Sequence, residues 1–164
     1  RASESRGLAW DNVDFEEGYI HVRQRADRWG VIGEPKSAAG KRSVPMGPLV
    51  ANALREWRLR SLSNPQNLVF PNQRGKIQNY SNLWERDLQP LLKKLDIKLR
   101  WHDLRHFAVS LWIEHGFPPK AVLEFAGHAS ITVTYDRYGH LFPTPEHHQG
   151  MAEIEDRFFT ETTA

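Results

Sequence analysis

The chain has 164 residues, 40% of them hydrophobic, so it is long enough for one domain with its own core and too apolar to be disordered. It has no cysteine, which excludes disulfides, thiolate zinc sites and cysteine nucleophiles and is compatible with a reducing cytoplasm. The formal net charge is +2, most of the cationic side chains are arginines, and no apolar run reaches membrane-spanning length. These features favour a phosphate-bearing partner and argue against a membrane partner.

The N-terminal part of the chain predicts the end of a helix followed by a small sheet. Residues 1–8 are typical of a helix end, and the chain begins without Met or a helix start signal, so we expect a fragment of a longer protein. Residues 10–14 predict a turn. Residues 19–23 alternate as a strand does, residues 29–33 predict a second strand or part of a long hairpin, and Arg42–Pro45 predicts a short third strand.

The rest of the chain predicts helices. Their expected ranges are residues 49–62, 81–95, 104–115 and 119–127, a short helix ending at Tyr135, and a last helix over 145–159. Pro90 should bend or split the second of these. On the central helix, Leu104, Ala108 and Leu111 are predicted to form the buried face. The sequence therefore predicts one α+β domain over residues 1–164, mainly helical, with a three-stranded antiparallel sheet near the N-terminus.

His102 and Arg105 stand three residues apart at the start of the central helix, which puts them on one helix face. A guanidinium offers a planar set of donors that matches two phosphate oxygens. An imidazole exchanges protons near neutral pH. Together they suit a phosphodiester whose negative charge grows during reaction, although such a pair also occurs on ordinary solvated helix faces.

Tyr138 lies ten residues after His128 and is a candidate nucleophile. A phenol has a pKa near 10, so it attacks only where neighbouring groups take its proton or stabilise its anion. Tyr135 is a rival three residues earlier, and the spacing alone does not choose between them.

Several short motifs follow one another along the chain. They are Arg1-Ala2-Ser3-Glu4, Leu8-Ala9-Trp10, Asn12-Val13-Asp14, Pro35-Lys36-Ser37, Arg42-Ser43-Val44-Pro45, His102-Asp103-Leu104-Arg105, Gly127-His128-Ala129-Ser130 and Tyr138-Gly139-His140-Leu141-Phe142-Pro143. In this order they resemble the catalytic domain of the tyrosine recombinases of the phage integrase family. Ala129 stands where the family usually has Ser. The long interval from Arg1 to Lys36 implies an insertion around residues 26–33, which leaves Lys41 as an alternative to Lys36.

The resemblance implies the fold of DNA breaking and rejoining enzymes and a set of catalytic residues. These residues are Arg1, Lys36, His102, Arg105, His128 and Tyr138. Tyr138 would attack a DNA phosphodiester, form a 3′-phosphotyrosyl link and free a 5′-hydroxyl. Arg1 and Arg105 would hold the non-bridging oxygens, and His128 would donate to the phosphate.

The other roles follow from the same resemblance. His102 would act on the proton of the nucleophile or hold the phosphate, and Lys36 would protonate the departing 5′-oxygen. The covalent link keeps the energy of the broken ester, so no ATP, metal or other cofactor is expected. Glu4 is expected to orient Arg1, and Asp103 to cap the central helix or pair with an arginine. For His106 and His140 we expect local hydrogen bonds rather than catalysis.

The implied partner is double-stranded DNA, with four protomers assembled during strand exchange, a monomer in the absence of DNA, and no small-molecule substrate. The missing upstream part would be the core-binding domain of the family. The segment from Pro145 onward would dock onto a neighbouring subunit or fold back in cis. The alternatives are a metal-dependent hydrolase built on His102 and His106, a non-catalytic DNA-binding module, and a type IB topoisomerase.

Overall fold

The computed structural model describes residues 1–142, which form a mainly helical domain with small antiparallel sheets. The helices are α1 (Ala2–Gly7), α2 (Pro48–Arg60), α3 (Tyr80–Asn82), α4 (Gln89–Lys94), α5 (Trp101–Glu114), α6 (Pro119–Ala126) and α7 (Ile131–Tyr138). The strands are β1 (Val13–Asp14), β2 (Tyr19–Val22), β3 (Arg25–Ala26), β4 (Ile32–Gly33) and β5 (Arg42–Pro45). Short 3-10 turns cover Trp10–Asn12, Ala38–Gly40 and Gly139–Leu141, and a π-helical segment covers Leu83–Leu88. The predicted α+β class is confirmed.

The three-stranded sheet has the order β1-β2-β5, with β2 antiparallel to both neighbours. The predicted three-stranded antiparallel sheet is present, but one of its three strands was wrong. Val13–Asp14 was predicted as part of a turn and is a strand, whereas Ile32–Gly33 pairs with Arg25–Ala26 in a separate hairpin. Strands of two residues are too short to show any alternation, so the sequence pattern could not assign them.

The sheet packs against α2, which closely matches the predicted helix over residues 49–62. Leu54 and Ala51 are the buried residues of α2. Leu54 joins Trp10, Val13 and Val69 in one core cluster beneath the sheet. Leu8, directly after α1, packs against this cluster, which therefore holds the segment that follows α1.

The predicted helix over residues 81–95 is observed with two differences. It begins at Tyr80, because the Asn79 side chain accepts hydrogen bonds from the amides of Ser81 and Asn82, so Asn79 rather than Ser81 is the cap. The helix is also divided by the wide turn of Leu83–Leu88, which lies directly before Pro90. Proline has no amide proton to continue the helical ladder, so the predicted irregularity is confirmed.

The central helix α5 begins at Trp101, three residues earlier than predicted. The Asp103 carboxylate accepts the backbone N–H of Arg100 at 2.7 Å and pairs with the Arg100 guanidinium, which confirms the predicted capping role. The helix presents its buried face to α6 and α7, which follow it in the chain.

The predicted buried face of α5 was wrong. Leu104 is 40% exposed and Leu111 is 39% exposed, whereas Val109 and Ile113 are almost fully buried. The inward face runs from the partly buried Arg105 and His106 to Val109 and Ile113. Polar side chains therefore occupy the first turns of the inward face, and the apolar pattern used for the prediction traced the outer one.

Helix α7 extends one turn beyond Tyr135, the predicted end, and Ser130 caps it by accepting the amide of Thr132. The extra turn brings Tyr138 into the second core cluster with Val109 and Ile113 of α5. The predicted helix over residues 145–159 lies outside the described residues. Among the helices of residues 1–142, none is long and apolar enough to cross a membrane.

Candidate active site

Arg1, His102 and Arg105 line one open cleft between the N-terminus of α5 and the start of the chain. The cleft has a volume of about 410 Å³ and is completed by Ala2, Ser5, Tyr80, Trp101 and Leu104. The sequence placed the two arginines more than a hundred positions apart, and the fold brings them to the same cavity. The two guanidinium groups make the cavity cationic, which suits an anionic ligand.

Arg1 is held by its neighbours on two sides. Its Nη1 donates to the Glu4 carboxylate at 2.6 Å, and its Nη2 donates to the carbonyl oxygen of Gly127 at 2.8 Å. Arg42 donates to both carboxylate oxygens of Glu4 and, through Nε, to the carbonyl oxygen of Phe125. The prediction that Glu4 orients Arg1 is confirmed, and Arg42 is an additional member of the network.

Burial and neighbouring charges shift the pKa values of Glu4 and Arg105. Burial opposes ionisation of Glu4, but the hydrogen bonds and charge of Arg42, with a further hydrogen bond from Arg1, outweigh it and lower the pKa of that carboxyl to about 2. Burial, with the nearby charges of Arg1 and Arg42, lowers the pKa of Arg105 to about 10. Arg105 stays cationic at neutral pH, and within residues 1–142 its guanidinium makes no protein hydrogen bond. No group within residues 1–142 accepts a hydrogen bond from its donors, which are therefore available to a ligand in the cleft.

His128 follows the left-handed Gly127 that ends α6, where φ is +64°. Its Nδ1 lies 2.8 Å from the Thr134 hydroxyl, and the side chain is buried. Burial, then the charges of Arg105 and Arg1, lowers the pKa of His128 to about 4. His128 is therefore neutral at physiological pH. When the Thr134 hydroxyl donates to Nδ1, the ring proton sits on Nε2.

Tyr138 is 5% exposed, and its ring is nearly parallel to that of His128, with centroids 6.3 Å apart. Its hydroxyl lies 2.5 Å from Nδ1 of His106. Burial raises the pKa of Tyr138, against the opposing charges of Arg105 and Arg137. Tyr135 is 49% exposed, and its ring lies against Phe142 instead. The structure thus places Tyr138, and not Tyr135, among the predicted site residues.

The contact between His106 and the Tyr138 hydroxyl was not predicted from the sequence. A local hydrogen bond was expected, and the observed bond is to the hydroxyl of the candidate nucleophile. The available signal was its spacing: one turn after His102, it had to share the face of His102. His102 itself is exposed and meets the His106 ring edge to face, with centroids 5.0 Å apart. Burial, then the charges of His106 and Arg105, lowers the pKa of His102.

Lys36 is not brought into the Arg1–Arg105 cleft. It is exposed and lines a neighbouring cleft of about 660 Å³ together with Arg25, Arg28 and Trp29 of the β3–β4 hairpin. The two clefts share Ala2 and Tyr80 in their walls, so they adjoin. Lys41 pairs with Glu34 at 2.6 Å instead.

The side chains that could bind a metal are spread out in the described part of the chain. Over residues 1–142, no three His, Asp or Glu side chains come together as a ligand set. His106 also directs its Nδ1 to Tyr138, so its pairing with His102 is through ring edges.

Comparison with known proteins agrees with this arrangement. The sequence model of the Phage integrase family matches residues 1–144. The chain belongs to the phage integrase family. The resemblance predicted from the sequence motifs is thereby confirmed.

Relatives in the phage integrase family include named tyrosine recombinases. Tyrosine recombinase XerC of Pseudomonas syringae pv. syringae is 34% identical over 148 residues, which cover 86% of this chain and 44% of the relative. Tyrosine recombinase XerC of Xylella fastidiosa is 32% identical over 147 residues, with the same coverage of both chains. The chain therefore spans less than half the length of these relatives.

Solved structures show the same fold. The Tn1549 transposon integrase in complex with circular intermediate DNA aligns with a TM-score of 0.70 and 26% identity, over 95% of this chain and 55% of that one. XerA recombinase aligns with a TM-score of 0.65 and 24% identity, over 87% of this chain and 53% of that one, and supports the fold alone.

Proposed function

We propose that this chain is the catalytic domain of a site-specific DNA recombinase that cuts and rejoins strands through a 3′-phosphotyrosine on Tyr138. The observation that supports the proposal is that the candidate catalytic side chains lie close together. Helix α5 supplies His102 and Arg105 to the cationic cleft and, one residue further on, the imidazole that holds the Tyr138 hydroxyl. A phosphate in the cleft would meet nucleophile and cations together.

The arginines explain how the phosphate is bound. Arg105 is half-buried, and the charges of Arg1 and Arg42 repel its own positive charge. A phosphodiester anion relieves that repulsion and receives donors from Arg1 and Arg105. Because the phosphorane-like transition state carries more negative charge than the ground state, these donors lower the barrier as well as binding the substrate.

The reaction follows from that placement. The Tyr138 oxygen forms a bond to the scissile phosphorus, and the bond from phosphorus to the 5′-oxygen breaks. The neutral His128 donates from Nε2 to the phosphate, and His102, exposed in the cleft, holds it too. Lys36 protonates the departing 5′-oxygen. In the reverse direction, a 5′-hydroxyl attacks the phosphotyrosine, so the scheme uses no ATP, metal or other cofactor.

The neighbouring cleft supports a DNA duplex as the partner. A strand leaving the Arg1–Arg105 cleft past Tyr80 would run along Arg25, Arg28 and Lys36, whose cations match a phosphate backbone. The Tn1549 integrase, which shares the fold, was solved with DNA. We further propose assembly of four protomers during strand exchange and a cytoplasmic location beside the DNA. Both proposals rest on the family.

The experiment is covalent capture on a pool of nicked duplexes with randomised arms, in which cleavage releases a short fragment and prevents religation. Denaturing gels separate protein–DNA adducts, and sequencing of the captured DNA identifies the site. The wild-type protein and Tyr135→Phe should form adducts in excess chelator, and Tyr138→Phe should form none. Capture by Tyr138→Phe, or the absence of adducts with wild-type protein that retains DNA binding, would contradict the proposal.

A further inference from the structure

The imidazole closest to the candidate nucleophile is that of His106. Its Nδ1 lies 2.5 Å from the Tyr138 oxygen, and the ring centroids are 5.8 Å apart. His106 is partly buried on the inward face of α5, between the cationic cleft and α7. When Nε2 carries the ring proton, Nδ1 accepts the hydroxyl proton, which is the geometry that proton transfer needs.

The phenol needs such a group. Tyr138 is buried, so bulk water has little access to its hydroxyl. Burial also raises the pKa of Tyr138, so the hydroxyl is protonated at neutral pH and is a poor nucleophile without a base. A proton acceptor in direct contact removes this barrier at the moment of attack.

The other imidazoles of the site are engaged elsewhere. His102 is exposed in the cleft beside Arg1 and Arg105, and it meets His106 through ring edges rather than approaching the phenol with a nitrogen. His128 lies parallel to the phenol ring, with its Nδ1 on Thr134. This geometry leaves His102 and His128 for the phosphate and His106 for the nucleophile.

We propose that His106, rather than His102, takes the proton of the Tyr138 hydroxyl during cleavage, a role that rests on the proposed function. The proton moves from the phenol oxygen to Nδ1 as that oxygen bonds to phosphorus and the 5′-oxygen leaves with a proton from Lys36. In ligation the imidazolium returns its proton to the phenol oxygen as the phosphotyrosine bond breaks. No proton is gained or lost over the cycle.

The test uses a duplex whose sequence was identified by covalent capture. It measures the single-turnover cleavage of this duplex by wild-type protein and by the variants His106→Ala and His106→Asn. Asparagine keeps an acceptor near the position of Nδ1 but is not a base, so it separates holding the phenol from taking its proton. We expect both variants to bind DNA as wild-type does and to cleave about 10²- to 10⁴-fold more slowly. His115→Ala, at the C-terminal end of the same helix, changes an exposed side chain whose Nδ1 lies 2.9 Å from the carbonyl oxygen of Leu111, and it should cleave at the wild-type rate.

A second substrate carries sulfur in place of the scissile 5′-oxygen. A thiolate leaves without protonation, so this substrate should restore cleavage by Lys36→Ala and leave the His106 variants slow. The proposal is overturned if His106→Ala cleaves within threefold of wild type, if asparagine restores the rate, or if sulfur rescues His106→Ala. These outcomes all require adducts with wild-type protein, so they are distinct from failure of the proposed function, in which wild-type protein forms none.

Discussion

The guanidinium of Arg1 donates a hydrogen bond to the carbonyl oxygen of Gly127, 2.8 Å away and 126 residues later in the chain. Gly127 directly precedes His128, so one contact ties the first arginine of the site to the segment that carries its last histidine. Glu4 binds the other edge of the same guanidinium and also pairs with Arg42, which in turn donates to Phe125. The position of both site residues therefore depends on one buried carboxylate.

Replacing this carboxylate tests that dependence. Glu4→Gln leaves the guanidinium of Arg42, whose side chain is 9% exposed, without its counter-charge. We expect a loss of about 3–5 kcal/mol in the free energy of unfolding measured with urea, since breaking one half of a buried ion pair strands the other charge. Glu17→Gln, at an exposed position, should change it by less than about 0.5 kcal/mol. Equal effects of the two substitutions would show that the network does not hold the site.

The free energy of unfolding should decrease in two steps as the pH is lowered. The folded pKa of His128 is about 4 against an ordinary 6.5, so the unfolded chain binds the proton more readily and stability is lost as pH falls from 6.5 towards 4. Glu4 adds a second loss between pH 4.5 and 2. Since one pKa unit corresponds to about 1.4 kcal/mol, the contribution of His128 is at most about 3.5 kcal/mol.

Urea unfolding across this pH range checks the assignment. His128→Gln should reduce the upper step, to which His102 also contributes because its pKa is lowered too, and leave the lower step. An upper step of unchanged size in His128→Gln would assign it to another group.

A side chain at position 127 should disturb the site through crowding. A Cβ on Gly127 would lie 2.9 Å from the carbonyl oxygen of Ala39 and 3.0 Å from Arg42, at a φ of +64°. Gly30 has a φ of +79° but no atom within 4 Å of its Cβ position, so Gly30→Ala measures the backbone strain alone. We expect Gly127→Ala to lower the thermal midpoint more than Gly30→Ala does, and to slow cleavage as well. Equal midpoints would contradict the crowding.

The lysines of the hairpin region should behave differently. Lys36→Ala should slow cleavage by about 10²-fold or more, because the departing oxygen loses its acid. Lys41→Ala removes only an exposed ion pair with Glu34, which is worth about 0–1 kcal/mol, and should leave the cleavage rate unchanged. Single-turnover rates of the two variants decide between them, and the reverse order would make Lys41 the acid.

The sequence predicted the fold class and most helices because long helical patterns and their caps are local signals. It did not predict the buried face of α5, since the polar residues Arg105 and His106 occupy partly buried positions where an apolar pattern was sought. It also missed the strands Val13–Asp14 and Arg25–Ala26, because strands of two residues are too short to alternate. Local patterns carry little information about such pairings, which are fixed by contacts made across the fold.

The candidate site, like the fold, was predicted only in part from the sequence. The motifs identified Arg1, His102, Arg105, His128 and Tyr138, and the structure brings these residues together. Spacing alone did not rank Tyr138 above Tyr135, whereas the motif that begins at Tyr138 did, and the burial of Tyr138 in the structure agrees with the motif. The contact between His106 and Tyr138 joins residues 32 positions apart on different helices, so only the packing of α7 on α5 reveals it.

The most direct measurement of the central claim is the identity of the residue that carries DNA after covalent capture. Nuclease treatment reduces the adduct to a nucleotide, and trypsin, which cleaves after Arg137, places Tyr135 and Tyr138 in different peptides. We expect mass spectrometry to find the nucleotide on the peptide that begins at Tyr138. A nucleotide on the peptide that ends at Arg137, or on any other residue, would contradict the account.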